Sequence, residues 1–420
     1  MKLTKETYKL MSFFVDNNCV MPVQQTQQTD TLITRLYNDI VEAYNYIQGL
    51  KSKNINKFYK LTVERITNVK QIPKPTTFPP NSFPSEIRQH IDDNMLSVLT
   101  YSFHLFGRKI NILFLTEDFN MEPMYNEYVD YMLMWLYIVN QYASKSCSTE
   151  LTIFVYHTTL LKLLPPSNVE VLDEIHVNTA FTRTCPTKSE IVVFRKEEWF
   201  KVFIHETFHN FGLDFSDLNT NEVTARLLSI FPVQSEVNLY ECYSEFWARI
   251  MNTLFCSFIN IKDKNNIDDF LTNVEFFINF ERIYAFFQLV KVLNFMEISY
   301  YNLYSKTRIA DHIRKTMYKE NTSVLSYYVL TTILLNNYQD FLVWCNKNNT
   351  SLLQFKKTTT NMDEFCAFIE KKYKAKSMLD GIACTERLLN KTKRILSQKT
   401  RSKELGYLLK NMRMTICELG

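Results

Sequence analysis

Residues 194–212 read Phe194-Arg195-Lys196-Glu197-Glu198-Trp199-Phe200-Lys201-Val202-Phe203-Ile204-His205-Glu206-Thr207-Phe208-His209-Asn210-Phe211-Gly212. No helix breaker stands between Trp199 and Phe211, and Gly212 is placed to end a helix in the left-handed conformation that glycine adopts freely. Glu197 and Glu198 suit the positive end of a starting helix. Positions four apart share one helix face, so His205 and His209 project together. Two neutral imidazoles so placed can bind one divalent cation at tetrahedral angles. Glu206, the adjacent position, can reach a water at that cation and serve as general base. Apart from Glu206, every residue from Val202 to Phe211 is uncharged, as a helix buried beneath a cleft requires. The plain alternative is a core helix that encloses two histidines and a glutamate without a metal.

Such a site needs a third protein ligand and an open fourth position. A histidine six residues beyond His209 would complete one known pattern, but that position is Phe215. Asp214, one place short of it, suits closing the turn. Asp214, Asp217, Glu222, Glu236 and Glu241 are the acidic candidates that follow.

The segment Glu241-Cys242-Tyr243-Ser244-Glu245 resembles the second helix of gluzincin metalloproteases such as thermolysin and the lethal-factor type. There E-x-x-[SA]-[DE] supplies a zinc-binding glutamate, and an acid four residues on orients a ligand histidine. The resemblance implies that Glu241 is the third ligand, that Glu245 is the partner of His205 or His209, and that Ser244 fills the small-residue place. It implies a Zn²⁺ cofactor and a protein or peptide substrate, and it covers residues 109–258. The phrase from His176-Val177-Asn178-Thr179 through the metal helix also resembles uncharacterised zinc-metalloproteinase-like proteins of nucleocytoplasmic large DNA viruses. That adds viral structural proteins as expected partners. A tetrahedral intermediate needs a hydrogen-bond donor besides the metal; Tyr240, Tyr243 and His176 are the candidates. Cys185, in a loop, is a remote candidate for a thiolate on the zinc.

Outside the motif, five of the eleven prolines fall at Pro73, Pro75, Pro79, Pro80 and Pro84. Residues 71–85 therefore form a linker or an extended strap, not a regular helix or central strand. Before it, Leu32, Leu36, Ile40, Ala43, Tyr44 and Ile47 recur at helical spacing within 29–51. After it, a helix opens with Ser85 as cap, and apolar runs at 109–115, 151–156 and 191–194 read as strands, with a helix at 125–143 between the first two. The run 191–194, or its neighbour, is a candidate edge along which an extended substrate could pair. No proline follows Val233, and apolar periodicity continues through 270–301, 324–344 and 362–373, which predicts a helical C-terminal half. Residues 391–413 read as a basic helix with a solvated face.

The expected fold is α+β: a zincin-like core, meaning a small mixed sheet plus the metal-binding helix, with mainly helical flanking parts. The expected units are 1–70 (N-terminal, helical), 71–85 (linker), 86–260 (catalytic core) and 261–420 (helical). A net charge of +4 over 420 residues does not describe a nucleic-acid binder, and no apolar run is long enough to span a membrane. Nine cysteines, odd in number, irregularly spaced and without C-x-x-C, predict free thiols in a reducing compartment; with no secretory signal visible, the expected location is intracellular, host cytoplasm or virion. Two readings follow. One is an intracellular zinc metallopeptidase with Glu206 as base. The other is a non-catalytic viral structural or scaffold protein that retains the zinc helix.

Overall fold

The structure, a computed structural model, describes residues 1–53, 58–119, 122–398 and 403–420. Its centre is a six-stranded mixed sheet in the order β1-β2-β3-β4-β6-β5. The strands are β1 (Lys60–Arg65), β2 (Ser97–Leu105), β3 (Arg108–Thr116), β4 (Glu150–His157), β5 (Ala180–Thr182) and β6 (Lys188–Val193). β1, β2 and β3 pair antiparallel, β3, β4 and β6 pair parallel, and β5 closes one edge antiparallel to β6. The class is therefore α+β.

The parallel strands β3, β4 and β6 are apolar on both faces because both faces are covered. Tyr101, Ile112, Ile153 and Val193 point toward the helices and join the large apolar core. The alternate positions Leu113, Leu115, Phe154 and Val192 face the other way, against Ile72, Phe83, Ile87 and Ile91. The period of two along each strand divides these sets. The proline-rich segment is thus a strap packed on the sheet: Tyr156 donates to the Pro73 carbonyl, and Glu190 accepts from the backbone N–H of Thr76 and Thr77. Its prolines lack the N–H that a ladder would need, so it crosses the sheet instead of joining it.

The helical core is continuous. Leu10 and Phe14 from the first helix (Lys5–Asp16), and Leu36 and Ile40 from the second (Gln27–Lys53), are buried in the same cluster as Phe203, Leu254 and Phe286. The expected boundaries at 70 and 260 therefore fall within shared packing, and β1, from the expected N-terminal unit, pairs with β2. The long helix Ile267–Phe295 packs against Leu239–Asn260 and Lys376–Gln398. Gly381 permits the second approach, since a Cβ there would overlap the Phe286 ring.

Several local expectations change. Pro84, not Ser85, precedes the Ser85–Asn94 helix, and no side chain caps it. Residues 191–193 of that run lie in β6, an interior strand; the sheet edge is its neighbour β5. In the 391–413 tail, positions 399–402 lie outside the described residues, and Arg413 is not solvated but buried, bonding Glu418. Residues 411–419 run as a mostly buried extended segment, held by Glu281, which accepts from the N–H of Ile416 and Cys417. Cys147 and Cys185 form a disulfide, so the free-thiol expectation fails for this pair, and Cys185 has no thiolate to offer a metal. No helix among the described residues is long and apolar enough to cross a membrane.

Candidate metal centre

The helix Trp199–Asn210 lies under the sheet and is buried along its whole length. Its start differs from expectation. Glu198 stands at the N-cap in the left-handed region with no capping side-chain bond, and both Glu197 and Glu198 are buried. Glu198 instead accepts from the N–H of Met414 and Thr415 and pairs with Lys162. The carboxylates lock the C-terminal segment onto the helix start rather than facing water.

The other end is a left-handed stop. Gly212 has φ +64°, its N–H bonds the His209 carbonyl at 2.9 Å, and the Leu213 N–H bonds the Phe208 carbonyl at 2.8 Å. This paired closure satisfies the last carbonyls and turns the chain back on itself. The reversal brings Asp214 under His209, where its carboxylate makes a short hydrogen bond with Nδ1. Asp214 also accepts from Ser244 at 3.0 Å, a contact that a larger side chain at 244 would block.

The helix Leu239–Asn260 supplies the facing wall. Glu241 and Glu245 are one turn apart and both turn toward the histidines. His205 Nδ1 bonds Glu245 Oε2 at 3.1 Å, while His205 Nε2 lies 3.1 Å from Glu241 Oε2. The remaining separations are 3.1 Å between the two Nε2 atoms and 3.4 Å from His209 Nε2 to Glu241 Oε2.

These three atoms test whether a metal fits. Carboxylates only accept, so Glu245 and Asp214 each hold a proton on Nδ1, and each Nε2, once deprotonated, turns a lone pair toward Glu241 Oε2. Three electron-pair donors then converge on one point. A tetrahedral ion with ligand distances of about 2.0–2.1 Å requires donor–donor edges of about 3.3 Å. The observed 3.1, 3.1 and 3.4 Å form one such face, so the donor set fits a divalent cation.

The electrostatics agree. Burial opposes charge on His205, yet Glu241 and Glu245 raise it above the ordinary imidazole range. Burial likewise opposes charge on His209, and Asp214 and Glu241 raise it well above that range. Burial would push Glu241 up, but His209 and His205 hold it far below the usual carboxylate range. Glu245 is held down against burial by Lys201, His205 and Arg249. The pocket thus calls for positive charge at the point where the three donors meet; a proton or a cation can supply it.

Glu206 differs from these carboxylates. It is 7% exposed and makes no side-chain hydrogen bond to a described residue, while His205, His209 and Lys201 attract its charge. Burial raises it above the ordinary range. It lines a cavity of about 30 Å³ together with His205, Tyr327, Thr179 and Met414. That is room for one water.

The other sequence candidates are placed as follows. Tyr240 lies beside the site, its ring 5.8 Å from that of His209. Tyr243 is turned away: fully buried, it donates to the Leu353 carbonyl at 3.0 Å and accepts from Asn349. Its position two after Glu241 puts it on a different helix face. His176 accepts from the Asp173 N–H at 3.1 Å and closes its own short helix; the cavity is lined instead by the residues that follow it, Val177 to Ala180. Asp217 pairs with Lys357. The donor that the sequence did not reveal is Tyr327. Its hydroxyl bonds Glu241 Oε2 at 3.0 Å, and its ring centre is 5.9 Å from that of His205. It sits in a single π-helical turn, Leu325–Leu330, a distortion often found at functional sites. Nothing in the local sequence signals it, because its partner is 86 positions away.

No family model, no curated protein and no solved structure matches this chain. The chemistry of the centre therefore carries the functional reading.

Proposed function

We propose that the chain is a zinc-dependent metallopeptidase with a gluzincin-type centre, in which His205, His209 and Glu241 hold the ion. The observation that carries this is Glu206: a carboxylate held by no side-chain hydrogen bond, beside a three-donor metal site, facing a water-sized cavity. A purely structural site has no use for such a group. When bound, Zn²⁺ would supply Lewis acidity toward a carbonyl and make a nearby water easier to deprotonate.

The remaining work falls to the chain's own residues. Glu206 takes a proton from water on its raised-pKa carboxylate and later delivers it to the leaving amine. Tyr327 offers the phenolic donor for which the sequence suggests Tyr240, Tyr243 and His176. Glu245 and Asp214 fix the two imidazoles in the tautomer that leaves Nε2 free. β5, the sheet edge beside the metal helix, supplies backbone for an extended substrate.

A second reading rests on the same cavity. Its 30 Å³ is narrow for a peptide, and His205, Glu206 and His209 are buried. A scaffold protein with a narrow zinc site would look this way, whereas a peptidase must widen the cleft between Val177–Ala180 and Tyr327. The deciding experiment is hydrolysis of a broad peptide library by the zinc-loaded wild type and Glu206→Gln. Cleavage lost in the variant with zinc retained supports the peptidase. Equal rates in both reject Glu206 as base.

A further inference from the structure

We propose that Cys19 and Cys384 are a redox-modifiable pair that closes to a second disulfide when the chain meets a disulfide oxidant. Their sulfur atoms lie 2.8 Å apart although the residues are 365 positions apart. The surrounding backbone holds them there. Cys19 follows the Lys5–Asp16 helix, and its N–H bonds the Phe14 carbonyl at 3.1 Å. Cys384 lies within the Lys376–Gln398 helix. Two turns further along that helix, Lys391 donates to Asn17 at 2.9 Å, a separate tie between the same two segments.

Access separates this pair from the other thiols. Cys384 is half-buried, whereas Cys19 is 2% exposed. Cys242, Cys345, Cys366 and the hydrogen-bonded free thiols Cys256 and Cys417 are all fully buried. An incoming oxidant therefore meets Cys384 first, and Cys19 is positioned to resolve the adduct. Burial and the adjacent Cys384 thiol push the Cys19 thiol up to about 12, with Arg387 opposing, so Cys19 is the slower, resolving member of the pair.

The exchange balances without a further reagent. The Cys384 thiolate attacks one sulfur of a small-molecule disulfide, forming a mixed disulfide and releasing one thiolate. The Cys19 thiolate then attacks the Cys384 sulfur and releases the second. Two protein thiols become one disulfide, the small disulfide is reduced to two thiols, and the two protein protons pass to the departing thiolates. The product ties the N-terminal segment covalently to a helix that packs on Ile267–Phe295.

The test is disulfide mapping of the full chain after exposure to oxidised glutathione. Remaining thiols are alkylated under denaturing conditions, and the protein is digested without reductant for mass spectrometry. The expected result is a linked peptide joining Cys19 and Cys384, beside the Cys147–Cys185 link, with Cys256 and Cys417 alkylated. Cys384→Ser should lose the first link and keep the second. Recovery of Cys19 and Cys384 as alkylated thiols overturns the proposal, as does glutathione retained on Cys384 with Cys19 free. Both readouts come from the wild type, so the proposal stands testable even if a variant fails to fold.

Discussion

Replacing Glu206 with Gln should make the metal-free protein more stable while removing its chemistry. The substitution keeps size and shape but deletes a charge that is 7% exposed and makes no side-chain hydrogen bond to a described residue. Removing the charge from such a largely buried carboxylate is worth about 1–3 kcal/mol. Unfolding entropy of about 2.1 cal/mol/K per residue gives this 420-residue chain about 0.9 kcal/mol/K at its midpoint, so Tm should rise by about 1–3 °C. The sign depends on pH. Burial raises the Glu206 pKa in the folded state. Its contribution to stability is therefore fully present below the unfolded pKa and is lost as pH rises through the folded one. The advantage of Gln should be near zero around pH 4 and should grow as pH climbs above the ordinary glutamate range. Calorimetry of both proteins in chelator, from pH 4 to 8, reads this directly. If the variant melts at or below the wild-type temperature at pH 8, the carboxylate has a partner and the argument for a poised base collapses. The same variant should retain zinc and lose any hydrolysis by about 10²–10⁴-fold.

Three further outcomes follow from the centre. Zinc should bind at about one ion per chain and be lost in His205→Ala and His209→Ala. Because their carboxylate partners raise both imidazoles, protons compete with the metal: affinity should fall as pH drops through the raised pKa values, approaching about a hundredfold per pH unit when both rings are protonated, measured with a chromophoric chelator. Glu245→Ala should weaken zinc binding by about 10–100-fold and, by stranding buried Lys201 and Arg249, cost about 3–5 kcal/mol in urea unfolding; Asp214→Ala should match the first effect without the second, and unchanged zinc affinity in both would remove them as orienting groups. Tyr327→Phe should lower kcat by about 10²-fold with KM and zinc affinity little changed; a loss confined to zinc affinity would make Tyr327 a support for Glu241 instead.

A narrow site that must also admit a peptide requires motion in a definable place. Glu206 is screened by the loop Val177–Ala180, by Tyr327 on its π turn and by Met414. Met414 belongs to the segment that Glu198 and Glu281 clamp through backbone N–H groups. With one wall fastened by buried carboxylates, opening has to come from the other two.

What the sequence determined alone is what short spacing encodes. Four-residue periodicity put His205 and His209 on one face, Gly212 marked the left-handed stop, apolar runs marked β3, β4 and β6, and clustered prolines marked a segment outside the ladder. These follow from backbone geometry within a few residues. The resemblance, not spacing, singled out Glu241 and Glu245; helix packing brings Glu241 against a histidine 36 positions earlier. Tertiary structure alone decided the pairing of β1 and β2, the burial of Glu197 and Glu198 against the C-terminal segment, the Cys147–Cys185 link and the place of Tyr327. Periodicity reports that a face will be buried, but not which distant surface will cover it. Asp214 lies between the two cases: five residues from His209, it becomes that ring's partner only because the Gly212 turn reverses the chain beneath it.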